Sequence, residues 1–583
     1  MKSKKREARK AVVAPPAARS GAWPWVLAVV GAAVVVFWAY GPAMHGEFLF
    51  DDNFLPFALP NAATPLRAWI GQIRPVLMTT YWLNWRISGD DPYSFHVLNV
   101  VFHCMTGALV FLIVGRLLEW SGAQESRRRL LAGFAALVFL LHPVQTESVA
   151  YLAGRSESLS ALLAAAALAV FLYRRQAAAS WTTVAIIFVL FGAAILSKEQ
   201  AVVLPAVLLL TDYWWNPGFS FKGIRGNWKL YAPLAVAGAA GVAFLWKLIL
   251  GASTFATAGF GIKDFTWYQY FFTQCRALFV YIGIFLLPVN LTADWDFPVS
   301  RTILDRGAIF GLLALVALAA AAWRYRRRFP LATYGYFVFL LLMSPTSSVL
   351  PIKDPIAERR LYLPMLGLLL IVVDLASRLK LERKAVAAGC LVVALLAAGA
   401  TRARAHVWND QLSLWEDTVR KSPNKARGHV LLGFAYQIGQ QYDAAIREYE
   451  QAARLQPATQ DLLVNWALAC DALNQPDLAL AKLNQAVLLP PPTNVSPANV
   501  YAQIARVYAE RSRWAEALQA LATAEKLDPQ FPDTYVYRGK VYLNANQVPA
   551  AVQEYRRALA IDSTLEDARH DLAIAEARLR AGH

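Results

Sequence analysis

The sequence predicts an all-α protein: a polytopic membrane helix bundle followed by an α-solenoid. Three observations point there. The first 403 residues are dominated by long apolar runs, the basic residues fall in short clusters between those runs, and the polar tail repeats itself with a period of about 34 residues. With 583 residues, 57% hydrophobic content and 19 tryptophans, the chain is too long and too apolar for one soluble domain.

The elements follow in order. A basic cytoplasmic tail occupies 1–22. The apolar stretch Trp23 to Tyr40 reads as an uncleaved first span, because no small-residue cleavage site follows it and further apolar segments do. Those segments lie near 96–117, 131–142, 157–173, 181–196, 200–214, 230–250, 268–288, 306–323, 331–350, 361–377 and 386–401. The formal net charge of +17 is spread over Lys2 to Lys10, Arg127 to Arg129, Arg174 and Arg175, and Arg324 to Arg328. Positive charge resists translocation, so these clusters belong to loops kept inside, with the amino terminus. A nucleic-acid partner would want them on one folded face and is set aside. Alternating the spans conflicts across 230–288, so one apolar segment there is expected not to cross, leaving about eleven crossings and the tail outside. Cys104, Cys275, Cys390 and Cys470 are too widely spaced for a metal cluster or disulfide framework.

The membrane part is expected to cover 23–403 and the extracytoplasmic tail 404–583. In the tail, Leu432, Gly433, Tyr436, Ala445, Tyr449, Ala452 and Pro457 occupy the knob-and-hole positions of a tetratricopeptide repeat. Small residues let paired helices approach and large ones fill the gaps. The pattern predicts repeats at about 426–459, 460–497, 498–531 and 532–565, with a capping helix after them. Trp408 and Trp415 fall in an extra leading helix.

Candidate chemistry concentrates in the outward loops. Asp51 and Asp52 stand adjacent among Phe48, Phe50 and Phe54, and two neighbouring carboxylates in apolar surroundings demand a task or a cation. Arg74, His96, His103, His142, Glu147, Arg155, Glu157, Lys198, Glu199, Glu358, Arg359 and Arg360 lie at the ends of apolar segments, where ionisable groups mark functional sites. A single Arg or Lys at a span end often only snorkels to the headgroups. His96 and His103 share a helix face but have no third metal ligand nearby. The NLT at Asn290 and NVS at Asn494 arise readily by chance and carry no weight.

The blocks FDD, RPVLMTTYWLNW, FHVLNVVFH, LLHPVQTESVAYLAGRSESLSALL, SKEQ, LPVNLTADWDFP and PIAERRLYLPMLG, in that order and followed by the repeats, resemble the transmembrane and tetratricopeptide-repeat protein O-mannosyltransferases, within the C-type (GT-C) lipid-donor glycosyltransferases. The resemblance spans roughly 45–580. It implies a bundle of about eleven transmembrane helices, an active site on the outer face, a polyprenyl-phosphate-linked sugar as donor, and a protein or peptide hydroxyl acceptor recruited through the repeats. It also places the catalytic carboxylate in the acidic motif after the first span, here Asp51 and Asp52. Asp51 would be the general base and Asp52 would orient it or the acceptor, with a divalent cation on the pair left open. Arg359, Arg360, Arg155, Lys198 and Arg74 are candidates for the donor phosphate, and His142, Glu147, Glu358 and His96 for support of the acceptor or the site. The alanine and leucine bias suggests a bacterial inner membrane. Competing readings are a non-catalytic membrane-anchored scaffold, a transporter, and a ligase or polymerase of glycans using the same donor. Charges at span ends, not in mid-membrane, argue against the transporter.

Overall fold

The computed structural model describes residues 23–58, 65–71, 73–238, 258–492, 495–580 and 582, and these are helical apart from turns, loops and one isolated antiparallel bridge between Ala258 and Ile352. The basic tail 1–22, residues 239–250 of the apolar segment 230–250, and Asn494 lie outside the described residues.

Five described helices are long and apolar enough to cross a membrane: Val26–Ala43, Pro92–Trp120, Leu152–Leu172, Asp305–Tyr325 and Arg383–His406. A sixth arises if Glu125–Leu141 and Pro143–Val149, bent by 49°, form one broken span. The expected count of about eleven is therefore not reached among the described residues. Trp181–Ile195, Pro330–Met343 and Met365–Ser377 are apolar but hold only 15, 14 and 13 residues. At about 1.5 Å per residue such helices rise roughly 20 Å, short of the roughly 30 Å hydrocarbon core. Trp267–Leu286 is long enough but carries Gln269, Gln274 and Arg276.

Contacts sort the loops onto two ends of the bundle. At one end Arg127 donates to the carbonyls of Ser377, Leu379 and Leu381. Arg174 pairs with Asp212 at 2.8 Å, and Asn227 and Tyr231 donate to the other oxygen of that carboxylate. Arg326 lies over Phe219 and Arg378 over Phe329. The basic clusters of four separate loops thus gather together. The opposite end collects Asp51, Glu147, Lys198, Asp294 and Arg359.

Beyond the last long helix, the short helix Gln411–Lys421 leads into four antiparallel pairs: Ala426–Ile438 with Tyr442–Leu455, Gln460–Ala472 with Pro476–Val487, Ala498–Ala509 with Trp514–Leu527, and Pro532–Asn544 with Val548–Ile561. Glu566–Arg580 closes the array. Close packing explains two glycines: a Cβ on Gly433 would fall 2.5 Å from the Tyr449 ring, and one on Gly539 would fall 2.7 Å from the Tyr555 ring. The array is not a separate body hung on a linker. One apolar core runs from the membrane helices through Trp408, Leu414 and Trp415 to Leu432. At its edge Asp294 takes Lys425 at 2.9 Å and Arg427 at 2.7 Å, and Arg427 also reaches Asp354.

Candidate active site

The loop after the first helix contains the short turn Phe50–Phe54, which splits the adjacent carboxylates between two environments. Asp51 is exposed, and its backbone N–H donates to the Tyr151 hydroxyl at 3.0 Å. Asp52 is 1% exposed; its Oδ2 accepts from the Leu49 N–H at 3.0 Å and its Oδ1 from the Ala153 N–H at 2.7 Å. Burial pushes the Asp52 carboxyl up to about 8, the Asp51 charge adds to the push, and the backbone N–H groups oppose it. Asp52 therefore ties the first loop to the Leu152–Gly154 turn. That turn packs against the preceding Thr146–Val149 helix because Gly154 has no side chain: a Cβ there would lie 2.6 Å from the Glu147 carbonyl oxygen.

The phenylalanines do not surround the pair as one group. Phe48 packs on Phe57 and Phe95, Phe54 is exposed, and Phe50 meets Trp415 of the leading helix edge-on at 5.5 Å. Phe50 also holds a left-handed φ of 48°, a conformation that costs about 1–3 kcal/mol for a residue with a side chain and persists only when neighbours hold it.

From Asp51 a line of polar groups runs across the end of the bundle. The buried Tyr151 ring stacks on Trp408 at 5.5 Å, and its hydroxyl is held well above its usual range by burial and by Asp52 and Asp51, against Arg359. Glu147 is buried; one of its oxygens accepts the Arg359 N–H at 2.8 Å and the other accepts the Arg359 guanidinium. Burial alone would lower the Arg359 guanidinium, but Glu147, Tyr151 and Glu157 together hold it above its ordinary value. Lys198 donates to Glu157 at 2.5 Å and to Ser156 at 3.3 Å; burial lowers its ammonium and Glu157 resists. Arg74, with φ 68°, forms a two-point pair with Glu199 at 2.9 Å for each bond and stays partly open to solvent. Beside this line a small, partly open cleft of about 40 Å³ is bounded by Glu157, Ala161, Leu204, Leu342, Arg360 and Leu363, and most of its wall is apolar.

The other expected residues support this line from behind. Arg155 is fully buried; it donates to Asn99 at 2.7 Å, to Asn84 at 2.9 Å and to the Phe95 carbonyl, and lies 4.5 Å over the Tyr81 ring. Arg360 donates to the Asp354 and Pro355 carbonyls and clamps its own loop. Arg155 is thus wholly enclosed, while Arg360 is held by carbonyls of its own loop and still lines the cleft. Glu358 accepts the Thr292 N–H at 2.5 Å and stands 4.0 Å from Arg404; burial pushes it up to about 8 despite that arginine. Arg404 in turn reaches Asp417 of the leading helix at 2.6 Å. His142 caps the following turn, accepting from Val144 and donating to the Phe285 carbonyl. His96 is buried beside the Gly46 and Ala150 backbone, and His103 is held by Tyr362 and the Leu140 carbonyl. Among the described residues no group of three His, Cys, Asp or Glu is placed to hold a metal ion. Both Asp52 oxygens are already engaged, so a cation on the pair would have only Asp51 as a free carboxylate.

Sequence reasoning missed Tyr151, Arg404 and Arg427. Tyr151 lies inside the conspicuous block between Glu147 and Arg155, but nothing local says that its hydroxyl meets the Asp51 backbone. Arg404 and Arg427 read as ordinary surface cations until their carboxylate partners are located.

Comparison with known proteins bears out the resemblance. Over 558 residues the chain is 26% identical to "Protein O-mannosyl-transferase TMTC3" of Mus musculus, covering 87% of this chain and 59% of that protein. It is 24% identical over 446 residues to "Protein O-mannosyl-transferase F38B6.6" of Caenorhabditis elegans, covering 72% and 61%. A shorter match, 32% identical over 159 residues, joins it to "Protein O-mannosyl-transferase TMTC1" of Homo sapiens, covering 24% and 17%. The chain thus spans about three fifths of the length of the mouse and nematode relatives. Family models described as "Tetratricopeptide repeat" and "TPR repeat" match 426–459 and 505–546, so the tail carries these repeats. Among solved structures, YrrB, titled "a TPR protein with an unusual peptide-binding site", is 24% identical over 30% of this chain and 86% of its own, with a TM-score of 0.23, too low to carry any argument.

Proposed function

We propose that this multi-pass membrane protein is a C-type glycosyltransferase that moves a hexose, mannose by analogy with its relatives' names, from a polyprenyl-phosphate donor to a Ser or Thr hydroxyl of a protein acceptor at the outer face of the membrane. Asp51 acts as general base and removes the acceptor hydroxyl's proton. The new bond joins that oxygen to the sugar's anomeric carbon as the bond from that carbon to the phosphate oxygen breaks. The polyprenyl phosphate leaves with the electron pair, its charge met by Arg359 and, further along the line, by Lys198 and Arg74. Asp52 does not touch substrate in this reading; it fixes the loop. The repeats recruit the acceptor.

The observation that carries the reading is the exposed Asp51 carboxylate, whose backbone N–H meets the Tyr151 hydroxyl, with the partly exposed Arg359 among the charges that act on that hydroxyl. The order of the family blocks along the chain supports it. The test is mass spectrometry of exported proteins from cells with and without the gene, joined to a transfer assay with purified protein, a polyprenyl-phosphate hexose and a Ser/Thr peptide. Hexose missing from Ser or Thr in the deleted strain, and restored by the purified protein, is the expected result. An unchanged glycoproteome and no transfer would overturn the reading in favour of a membrane-anchored scaffold.

A further inference from the structure

We infer that the front of the repeat domain, Trp408 to Arg427, completes the candidate site by fixing the Asp51 loop, with Trp415 and Arg427 as positioning residues. The inference rests on the proposed role of Asp51. The segment leading into that aspartate is gripped at two points by residues that follow the last long helix. On the amino side, the Glu47 N–H donates to the Asn409 carbonyl at 2.9 Å, and Gly46 approaches so closely that a Cβ would fall 3.0 Å from the carbonyls of Trp408 and Asn409. Immediately before Asp51, the left-handed Phe50 has the Trp415 ring edge-on at 5.5 Å and the Arg427 guanidinium 5.9 Å from its ring centre. On the third side, Trp408 stacks on Tyr151, whose hydroxyl accepts the Asp51 N–H.

These contacts explain why Phe50 keeps a backbone conformation that a residue with a side chain rarely adopts. Phe50 contributes its ring to a slot built by the repeat domain, and the left-handed turn that follows presents Asp51 to solvent while Asp52 turns inward. Remove the slot and Phe50 can relax, which would swing the next residue. Arg427 does not sit there by chance, since Asp294 and Asp354 hold it from the membrane side at 2.7 and 2.9 Å. The tail is therefore more than a recruiting arm: its leading helix and the start of the first repeat helix belong to the catalytic scaffold, in keeping with the one apolar core that crosses the junction.

The experiment uses the full chain. Arg427→Gln is the primary variant, because Lys425 stays on Asp294 and Asp354 and keeps the array seated; Trp415→Leu and Trp415→Phe test the ring. In each background, Asp51→Cys is labelled with a water-soluble maleimide and the rate at that site is read by mass spectrometry. With Asp51 intact, kcat and the donor KM are measured. Expected are a several-fold change in labelling rate for Arg427→Gln and Trp415→Leu, a kcat lowered by roughly 10–10²-fold at unchanged donor KM, and near-parental behaviour for Trp415→Phe. Unchanged labelling in both Arg427→Gln and Trp415→Leu, or a rise in donor KM at constant kcat, would overturn the inference. A parent protein that transfers no hexose would overturn the site's proposed function instead, and the labelling arm, which needs no activity, would still decide the placement.

Discussion

Asp51 and Asp52 are adjacent in the chain and opposite in setting: the Asp51 carboxylate is exposed, while both Asp52 oxygens are enclosed and accept backbone N–H groups from Leu49 and Ala153. The pair is one exposed group and one tie.

The tie has a pH signature. Folding raises the Asp52 carboxyl from 3.8 to about 8, chiefly by burial, so the folded protein keeps a proton that the unfolded chain releases. The stability contributed is fully present below about pH 4 and is lost as pH rises through about 8. Thermal unfolding in detergent should show the parent losing stability between about pH 4 and about pH 8 relative to Asp52→Asn, which cannot ionise. Parallel curves for the two proteins would contradict the assignment.

For Asp51 the expectation is catalytic. Asp51→Asn keeps the size and the backbone bond to Tyr151, but the amide cannot take a proton. Turnover should fall by roughly 10²–10⁴-fold while donor binding and thermal stability stay near parental values. Comparable turnover would make the exposed carboxylate a bystander.

What the sequence makes legible follows from which interactions are local. The repeats could be placed because Gly433 and Tyr449 are partners sixteen positions apart within one helical pair, a spacing visible as a period. The candidate cluster was visible because ionisable groups in apolar surroundings stand out one by one. Their pairing was not, because it depends on distant partners: Arg155 donates to Asn84 and Asn99, 71 and 56 positions away, and Glu147 meets Arg359 across 212. The expected number of crossings is not reached among the described residues for a related reason. Apolar composition continues through breaks such as Leu196 to Lys198, where the backbone leaves the helix and a short Trp181–Ile195 segment ends.

Arg359 and Glu147 should separate stability from chemistry. Arg359→Gln leaves a buried carboxylate without its cation, a change worth about 3–5 kcal/mol of destabilisation. Glu147→Gln alone leaves the partly exposed guanidinium free to turn to solvent, and should cost less. The double variant should recover much of the stability lost in Arg359→Gln yet stay defective in donor use, because the phosphate-facing charge is still missing. Recovery of both in the double variant would make Arg359 purely structural. Replacing Arg360 is a different experiment, since its donors bind the Asp354 and Pro355 carbonyls and its loss should loosen the loop without a specific effect on the phosphate.

The two ends of the bundle give a prediction about orientation. Arg127 meets residues 377–381, Arg174 meets Asp212 near Asn227, and Arg326 meets Phe219, so the positive loops share one end, while Asp51 and the repeats share the other. Translocation disfavours Lys and Arg, so the basic end should be cytoplasmic and the repeats external. Protease added to intact spheroplasts should digest the repeats but leave a cytoplasmic control protein whole. A tag in the Arg324 to Arg328 loop should be cut only after the membrane is opened. The loop between Pro491 and Ser496 is the natural first cut, because it joins the second and third helix pairs without helical structure at its described residues. Repeats that survive in intact cells and are cut only after lysis would invert the topology, move Asp51 to the cytoplasmic face, and require a donor and acceptor available on that side.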